Sequence, residues 1–77
     1  MALITKIEET TKNAKLHSET RCTYNVFQKD GNTILQLDTY GSSDREFPDK
    51  ISQSIQINER SAMQLREILD RFFPKSA

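Results

Sequence analysis

Side chains that can act as nucleophiles or general bases are sparse in this sequence. Its 77 residues include one histidine, His17, and one cysteine, Cys22. A Cys–His pair needs a third group to orient the histidine and a pocket around the reacting atoms, which so small a chain can hardly enclose. We therefore expect an exposed histidine, a small buried cysteine and no enzymatic activity.

Carboxylates, which are common ligands of divalent cations, are concentrated in the middle of the chain. Asp38, Asp44, Glu46 and Asp49 lack the calcium-loop spacing, in which ligands alternate around a central glycine and end at a glutamate. Zinc usually takes four ligands, and the soft ones here are one histidine and one cysteine. The two glycines stand in separate turns, so they form no phosphate-binding loop. We expect no metal, no cofactor and no disulfide within the chain.

The chain is neutral overall, with its charges unevenly distributed. Eleven basic residues balance eleven acidic ones. Residues 30–49 carry one basic and five acidic residues, a net −4, whereas residues 1–29 and 50–77 each carry five basic and three acidic residues, a net +2. No global field attracts nucleic acid or anionic lipid. The acidic middle is either a solvated loop or a surface for a basic partner.

The length of the chain predicts a single small domain that spans residues 1–77. A chain of this size buries only about 60–65% of the surface that it exposes when unfolded, so a second subunit is a natural support. The run Ala2-Leu3-Ile4 is too short for the apolar part of a secretion signal, and no run approaches the roughly 18 residues of a membrane span. We expect a cytoplasmic homodimer with no membrane association.

Residues 59–73 predict an amphipathic helix. Asn58 is a suitable N-cap and Pro74 ends the helix. With 100° of rotation per residue, one face of this helix is apolar and the opposite face is polar. The apolar face comprises Ala62, Leu65, Ile68, Leu69, Phe72 and Phe73, and the polar face comprises Arg60, Gln64, Glu67 and Arg71. This apolar face is wide for one short sheet. We expect its end, at Leu69, Phe72 and Phe73, to pack against a second copy.

Three upstream segments have the character of strands. Residues 33–40 and 50–57 alternate between apolar and polar side chains. The run 19–28 is rich in β-formers and precedes Asp30-Gly31, a strong hairpin signal. Residues 1–18 fit either a first strand or a short helix, and we favour the strand. The predicted fold class is α+β: a four-stranded antiparallel sheet followed by one C-terminal helix.

The polar face of this sheet is a candidate binding surface. The alternation places Ile51, Ile55 and Ile57 on one face and Lys50, Ser52, Ser54 and Gln56 on the other, where they can adjoin Gln36, Asp38 and Tyr40. Hydroxyls, amides, a cation and an aromatic ring suit contacts with phosphates and stacked bases, although an ordinary hydrated face has the same composition. The candidate contacts are Tyr40, Lys50, Ser52, Ser54, Arg21 and Arg45.

The C-terminal half of the chain resembles a known family. Two segments look like the closing strand and helix of the PC4-like transcriptional coactivator domain: Ser54-Ile55-Gln56-Ile57-Asn58-Glu59 and, after it, Gln64-Leu65-Arg66-Glu67-Ile68-Leu69. The resemblance covers roughly residues 33–70. Tyr40, Pro48 and Lys50 also occupy places comparable to that family's strand-end aromatic and loop. The resemblance implies a homodimer joined largely through its helices, with the outer sheet faces binding single-stranded nucleic acid. The matching contact residues are Tyr40, Lys50 and Ser54.

Two functions follow from these observations. The first is a small dimeric module that binds nucleic acid and prefers single-stranded DNA or RNA, as an accessory protein in transcription or replication. The second is a protein-interaction or regulatory module. In that case Asp44, Glu46 and Asp49 of the acidic 38–49 loop would engage a basic partner protein.

Overall fold

The computed structural model describes residues 1–41 and 50–75, and these form an α+β fold. The elements are β1 (Ala2–Ile4), β2 (Cys22–Lys29), β3 (Asn32–Tyr40), β4 (Ile51–Ile57) and α1 (Glu59–Phe72). The predicted order of four strands followed by a helix is confirmed. The strands form one sheet in the order β1-β4-β3-β2.

The sheet is mixed, so the prediction of a wholly antiparallel sheet was wrong. β2, β3 and β4 pair antiparallel, whereas β1 runs parallel to β4. Parallel neighbours require a long connection that returns the chain to the same end of the sheet. Residues 5–21, which contain no helix or strand, form that connection together with β2 and β3. The alternation within a strand carries no information on the direction of its partner.

A two-residue turn at Asp30-Gly31 joins β2 to β3, as predicted. The φ angles are 52° at Asp30 and 78° at Gly31. Positive φ at both central residues is characteristic of the type I′ turn, which matches the twist of paired strands. Glycine adopts this region without strain, and aspartate adopts it more readily than most residues. From this turn the register runs to Cys22 opposite Thr39.

A β-bulge in β4 displaces Ile51 from its predicted face. Thr39 pairs with Gln53 and Tyr40 pairs with Ile51, which leaves Ser52 as the extra residue. Facing residues of antiparallel strands point to the same side of the sheet, so Ile51 joins Tyr40 and leaves the row of the other two isoleucines. The predicted placement was wrong because one inserted residue reverses the alternation beyond it.

The two faces of the sheet differ in chemistry. The strand pairings place residues whose side chains are uncharged at neutral pH on one face, which we call the uncharged face. Its members are Ala2, Ile4, Cys22, Tyr24, Val26, Gln28, Thr33, Leu35, Leu37, Thr39, Gln53, Ile55 and Ile57. The opposite face, called the polar face, carries Thr23, Asn25, Lys29, Asn32, Gln36, Asp38, Tyr40, Ser54 and Gln56 together with Leu3, Phe27, Ile34 and Ile51.

The helix α1 begins with a capping box. Asn58 Oδ1 accepts from the Ser61 backbone N–H, and Ser61 Oγ accepts from the Asn58 backbone N–H, both at 3.0 Å. These bonds satisfy backbone donors that have no partner within the first turn. The helix ends at Phe72, one residue earlier than predicted, and the Phe73 N–H donates to the Leu69 carbonyl at 2.7 Å.

The first two turns of α1 also hold residues 4–7. Ser61, which is 0% exposed, donates through Oγ to the Ile4 carbonyl at 2.7 Å. The Gln64 side chain accepts from the Ile7 N–H at 2.9 Å and donates to the Ile7 carbonyl at 3.4 Å. Helical periodicity predicts Gln64 on the outer face. Gln64 does line one depression with Arg60 and Glu67 of that face, and its amide in addition satisfies the backbone of a residue outside the strands.

Candidate nucleic-acid interface

A row of hydrogen bonds crosses the polar face from β4 to β3. Gln56 Nε2 donates to Gln36 Oε1 at 2.9 Å, and Gln36 Nε2 donates to Asp38 Oδ1 at 3.0 Å. Ser54 Oγ donates to the same carboxylate oxygen. Because an ionised carboxylate only accepts, Asp38 determines which end of the Gln36 amide faces it, and Gln36 in turn orients Gln56.

Asp38 is buried, with 7% of its surface exposed. The alternation in β3 predicts it on a hydrated face, and this was wrong because neighbouring side chains enclose it. The donors Gln36 and Ser54 offset much of the cost of removing the carboxylate from water. Burial largely excludes Asp38 from direct contact with any ligand or partner. The hydroxyl of Ser54 is likewise committed to this carboxylate.

Arg21 and Tyr40 form the most developed candidate contact. The guanidinium carbon of Arg21 lies 4.0 Å from the centroid of the Tyr40 ring, within the range of a cation–π interaction. The Tyr40 hydroxyl shares a hydrogen bond with Thr23 Oγ1 at 2.9 Å, and Thr20 Oγ1 donates to the Tyr40 carbonyl. The ring is therefore held at one face and at its hydroxyl, beneath an exposed arginine.

A cleft beside this pair has a volume of about 540 Å³, which lies within the range of small-ligand sites. Most of its lining residues carry a hydroxyl or an amide, and they include His17, Glu19, Thr20, Tyr40, Ser52 and Gln53. The bulge residue Ser52 thus lies beside Tyr40. Glu19 contributes a carboxylate, which disfavours an anionic ligand.

The remaining predicted nucleic-acid contacts and partner contacts are not among the described residues that line the cleft beside Tyr40. Lys50 is exposed immediately before β4. Arg45 of the nucleic-acid set and Asp44, Glu46 and Asp49 of the alternative partner-binding set lie outside the described residues. The structure therefore unites Arg21, Tyr40 and Ser52 at one end of the sheet.

The predicted dimer contacts at the end of α1 are all solvent-exposed. Leu69 is 45% exposed, Phe72 61% and Phe73 75%.

His17 and Cys22 are not hydrogen-bonded to each other in the described part of the chain. His17 lines the cleft, whereas Cys22 Sγ lies 3.5 Å from the Thr23 carbonyl. Cys22 is exposed, so the expectation of a buried cysteine was wrong. It lies at the start of the edge strand β2, where a side chain has a neighbouring strand on one side only. Within residues 1–41 and 50–75, no three potential metal ligands cluster together.

Sequence reasoning missed Thr20 and Thr23, which hold Tyr40 in place. Thr20 belongs to a segment without regular structure, so no periodicity marks it. Thr23 carries a weak signal, since alternation in β2 places it on the same side as residue 21. Its bond to Tyr40 depends on the register between β2 and β3, which the sequence does not display.

No helix in the described ranges is long and apolar enough to cross a membrane. Comparisons with protein-family models, curated proteins and solved structures found no match to this chain.

Proposed function

We propose that this protein is a small module that binds single-stranded DNA or RNA at the Arg21–Tyr40 end of its polar face. The observation that carries the proposal is the 4.0 Å approach of the Arg21 guanidinium to the Tyr40 ring. Unpaired bases stack on aromatic rings and on arginine guanidinium groups. Such stacking contributes about 1–3 kcal/mol per base and tolerates any sequence.

The surroundings of the pair suit a nucleotide strand. Ser52 offers a hydroxyl from the cleft, and Lys50 offers an exposed ammonium group at the start of β4. Hydroxyls and cations of this kind contact phosphate oxygens. Because Tyr40 is held by Thr20 and Thr23, little additional ordering is needed when a base binds.

The small number of cations determines the expected salt dependence. For single strands, log K falls with log salt concentration by about 0.7 for each phosphate neutralised. Contacts from Arg21 and Lys50 to two phosphates therefore give a slope of about −1.4. Such a binder is weak and loses little affinity as salt rises.

The test is a fluorescence-anisotropy titration of a labelled single-stranded oligonucleotide at low salt. We expect Arg21→Gln to weaken binding about tenfold, through loss of one stacking and one phosphate contact. The matched control is Lys29→Gln. Lys29 is an exposed cation at the last position of β2, whereas Arg21 directly precedes the first position of that strand. The control should bind like the wild type.

Two outcomes would overturn the proposal. The first is an absence of wild-type binding at tens of micromolar. The second is equal weakening by Arg21→Gln and Lys29→Gln, because equal losses would indicate diffuse charge attraction without a defined site.

A further inference from the structure

The chain exposes more surface than a compact monomer of its mass. Its accessible area is 7246 Å², whereas a folded 8.9 kDa monomer exposes about 4,800 Å². Its radius of gyration is 14.8 Å, against about 11.5 Å for a compact domain of 77 residues. Residues 8–22, which are exposed throughout, contribute part of this excess of roughly 2,400 Å². The sheet contributes another part.

The uncharged face is most exposed on the edge strand β2. Ile57, directly before the N-cap of α1, is 4% exposed, while Ile55 on the same strand is 37% exposed. On β2, Val26 is 57% exposed and Tyr24 73%. The pairings Tyr24–Leu37 and Leu37–Ile55 make this region contiguous across three strands. Contiguous apolar patches on soluble domains commonly mark interaction sites.

The absence of charge on this face indicates what can cover it. Its polar members are threonine, glutamine, tyrosine and cysteine, in a chain of which 29% is charged. A strongly charged partner would find no complementary group among the residues of this face. An identical face, related by a two-fold axis, meets it without repulsion between like charges.

We propose that a second copy of this chain packs on the uncharged face, so that two sheets lie face to face across a two-fold axis. A stable dimer buries about 800 Å² on each partner, so β2, β3 and β4 of this face must all contribute to the interface. Facing sheets pack about 10 Å apart with interdigitated side chains. This interface differs from the helix-mediated dimer that the family resemblance implies, and it does not depend on nucleic-acid binding.

The test is the solution mass of the full chain by sedimentation velocity at tens of micromolar. Val26→Lys places a charge on the uncharged face, and Asn25→Lys is its control, because Asn25 is the adjacent, exposed residue on the opposite face. We expect a wild-type dimer, an Asn25→Lys dimer, and at least about a tenfold rise in the dissociation constant for Val26→Lys.

A second variant guards against misfolding. Tyr24→Ser removes the one aromatic ring among the residues of the uncharged face without adding a charge, and it should also weaken the dimer. Far-ultraviolet circular dichroism confirms the fold of each variant. A monomeric wild type would overturn the proposal, as would equal effects of Val26→Lys and Asn25→Lys. Dissociation by Phe73→Lys with Val26→Lys still dimeric would assign the interface to the end of α1 and also overturn it.

Discussion

Ser61 Oγ donates to the Ile4 carbonyl at 2.7 Å, although 57 positions separate the two residues. The bond links the first turn of α1 to the last residue of the three-residue strand β1. Such a short edge strand gains little from its own ladder. Its place in the sheet is therefore stabilised by the helix as well as by β4.

Ser61→Ala should lower the free energy of unfolding by about 2 kcal/mol, because it removes an N-terminal capping interaction and leaves the Ile4 carbonyl without this donor. Urea unfolding measures the change. Glu67→Ala, at an exposed position of the same helix, should change stability by no more than about 0.5 kcal/mol. Equal effects of the two variants would contradict the role assigned to Ser61.

Gln64→Leu should release the segment around Ile7. The variant removes both bonds to the Ile7 backbone, at 2.9 and 3.4 Å, while keeping good helix propensity. We expect the Ile7 amide to exchange with solvent about tenfold faster, corresponding to about 1.4 kcal/mol of local opening free energy. Native-state hydrogen exchange by NMR provides the measurement. Unchanged protection at Ile7 would show that the glutamine does not hold this segment.

Asp38→Ala should destabilise the protein by about 1–3 kcal/mol, since Gln36 and Ser54 lose their shared acceptor in a buried site. Asp38→Asn keeps an acceptor oxygen and should cost less. Thermal or urea unfolding of both variants distinguishes these effects. If the asparagine variant lost as much stability as the alanine variant, the carboxylate charge rather than its hydrogen bonds would be the main stabilising feature.

Gly31→Ala should cost about 1 kcal/mol. Gly31 has φ +78°, and a Cβ placed there meets no atom within 4 Å, so the cost is backbone strain rather than a clash. Asp30→Asn retains a residue type that tolerates positive φ and should change stability by less than about 0.5 kcal/mol. Chemical unfolding checks both. A neutral Gly31→Ala variant would mean that the hairpin adjusts to another turn type.

Glu19→Gln should strengthen binding of a single-stranded oligonucleotide about two- to threefold at low salt, because it removes a carboxylate from the cleft beside Tyr40. Glu9→Gln, an equal charge change at an exposed position outside that cleft, is the control. Anisotropy titrations compare the two. Weaker binding by Glu19→Gln would argue against an anionic ligand at this site.

Local signals predicted most of the elements. Asp30-Gly31 indicated the hairpin because a type I′ turn depends on the φ preferences of two adjacent residues. Asn58 and Pro74 bounded the helix to within one residue, because caps and breakers act on the nearest backbone groups. The candidate contacts Tyr40 and Ser52 could be named from residue type and from the alternation along the strands, and Arg21 from residue type.

The relative placement of segments that lie far apart along the chain could not be predicted from these local signals. The direction of β1, the bulge at Ser52 and the burial of Asp38 all depend on which strands are neighbours and in what register. The stacking of Arg21 on Tyr40 likewise requires the β2–β3 pairing.

By itself, the sequence determined the α+β element order, the hairpin turn and the amphipathic helix, since each arises from contacts between residues close along the chain. Only the tertiary structure decided that β1 runs parallel to β4, that Ser61 and Gln64 hold residues 4–7, and that the uncharged face remains open towards β2. The physical reason is that strand direction, bulges and burial depend on pairings across many residues, which periodicity within a segment does not encode.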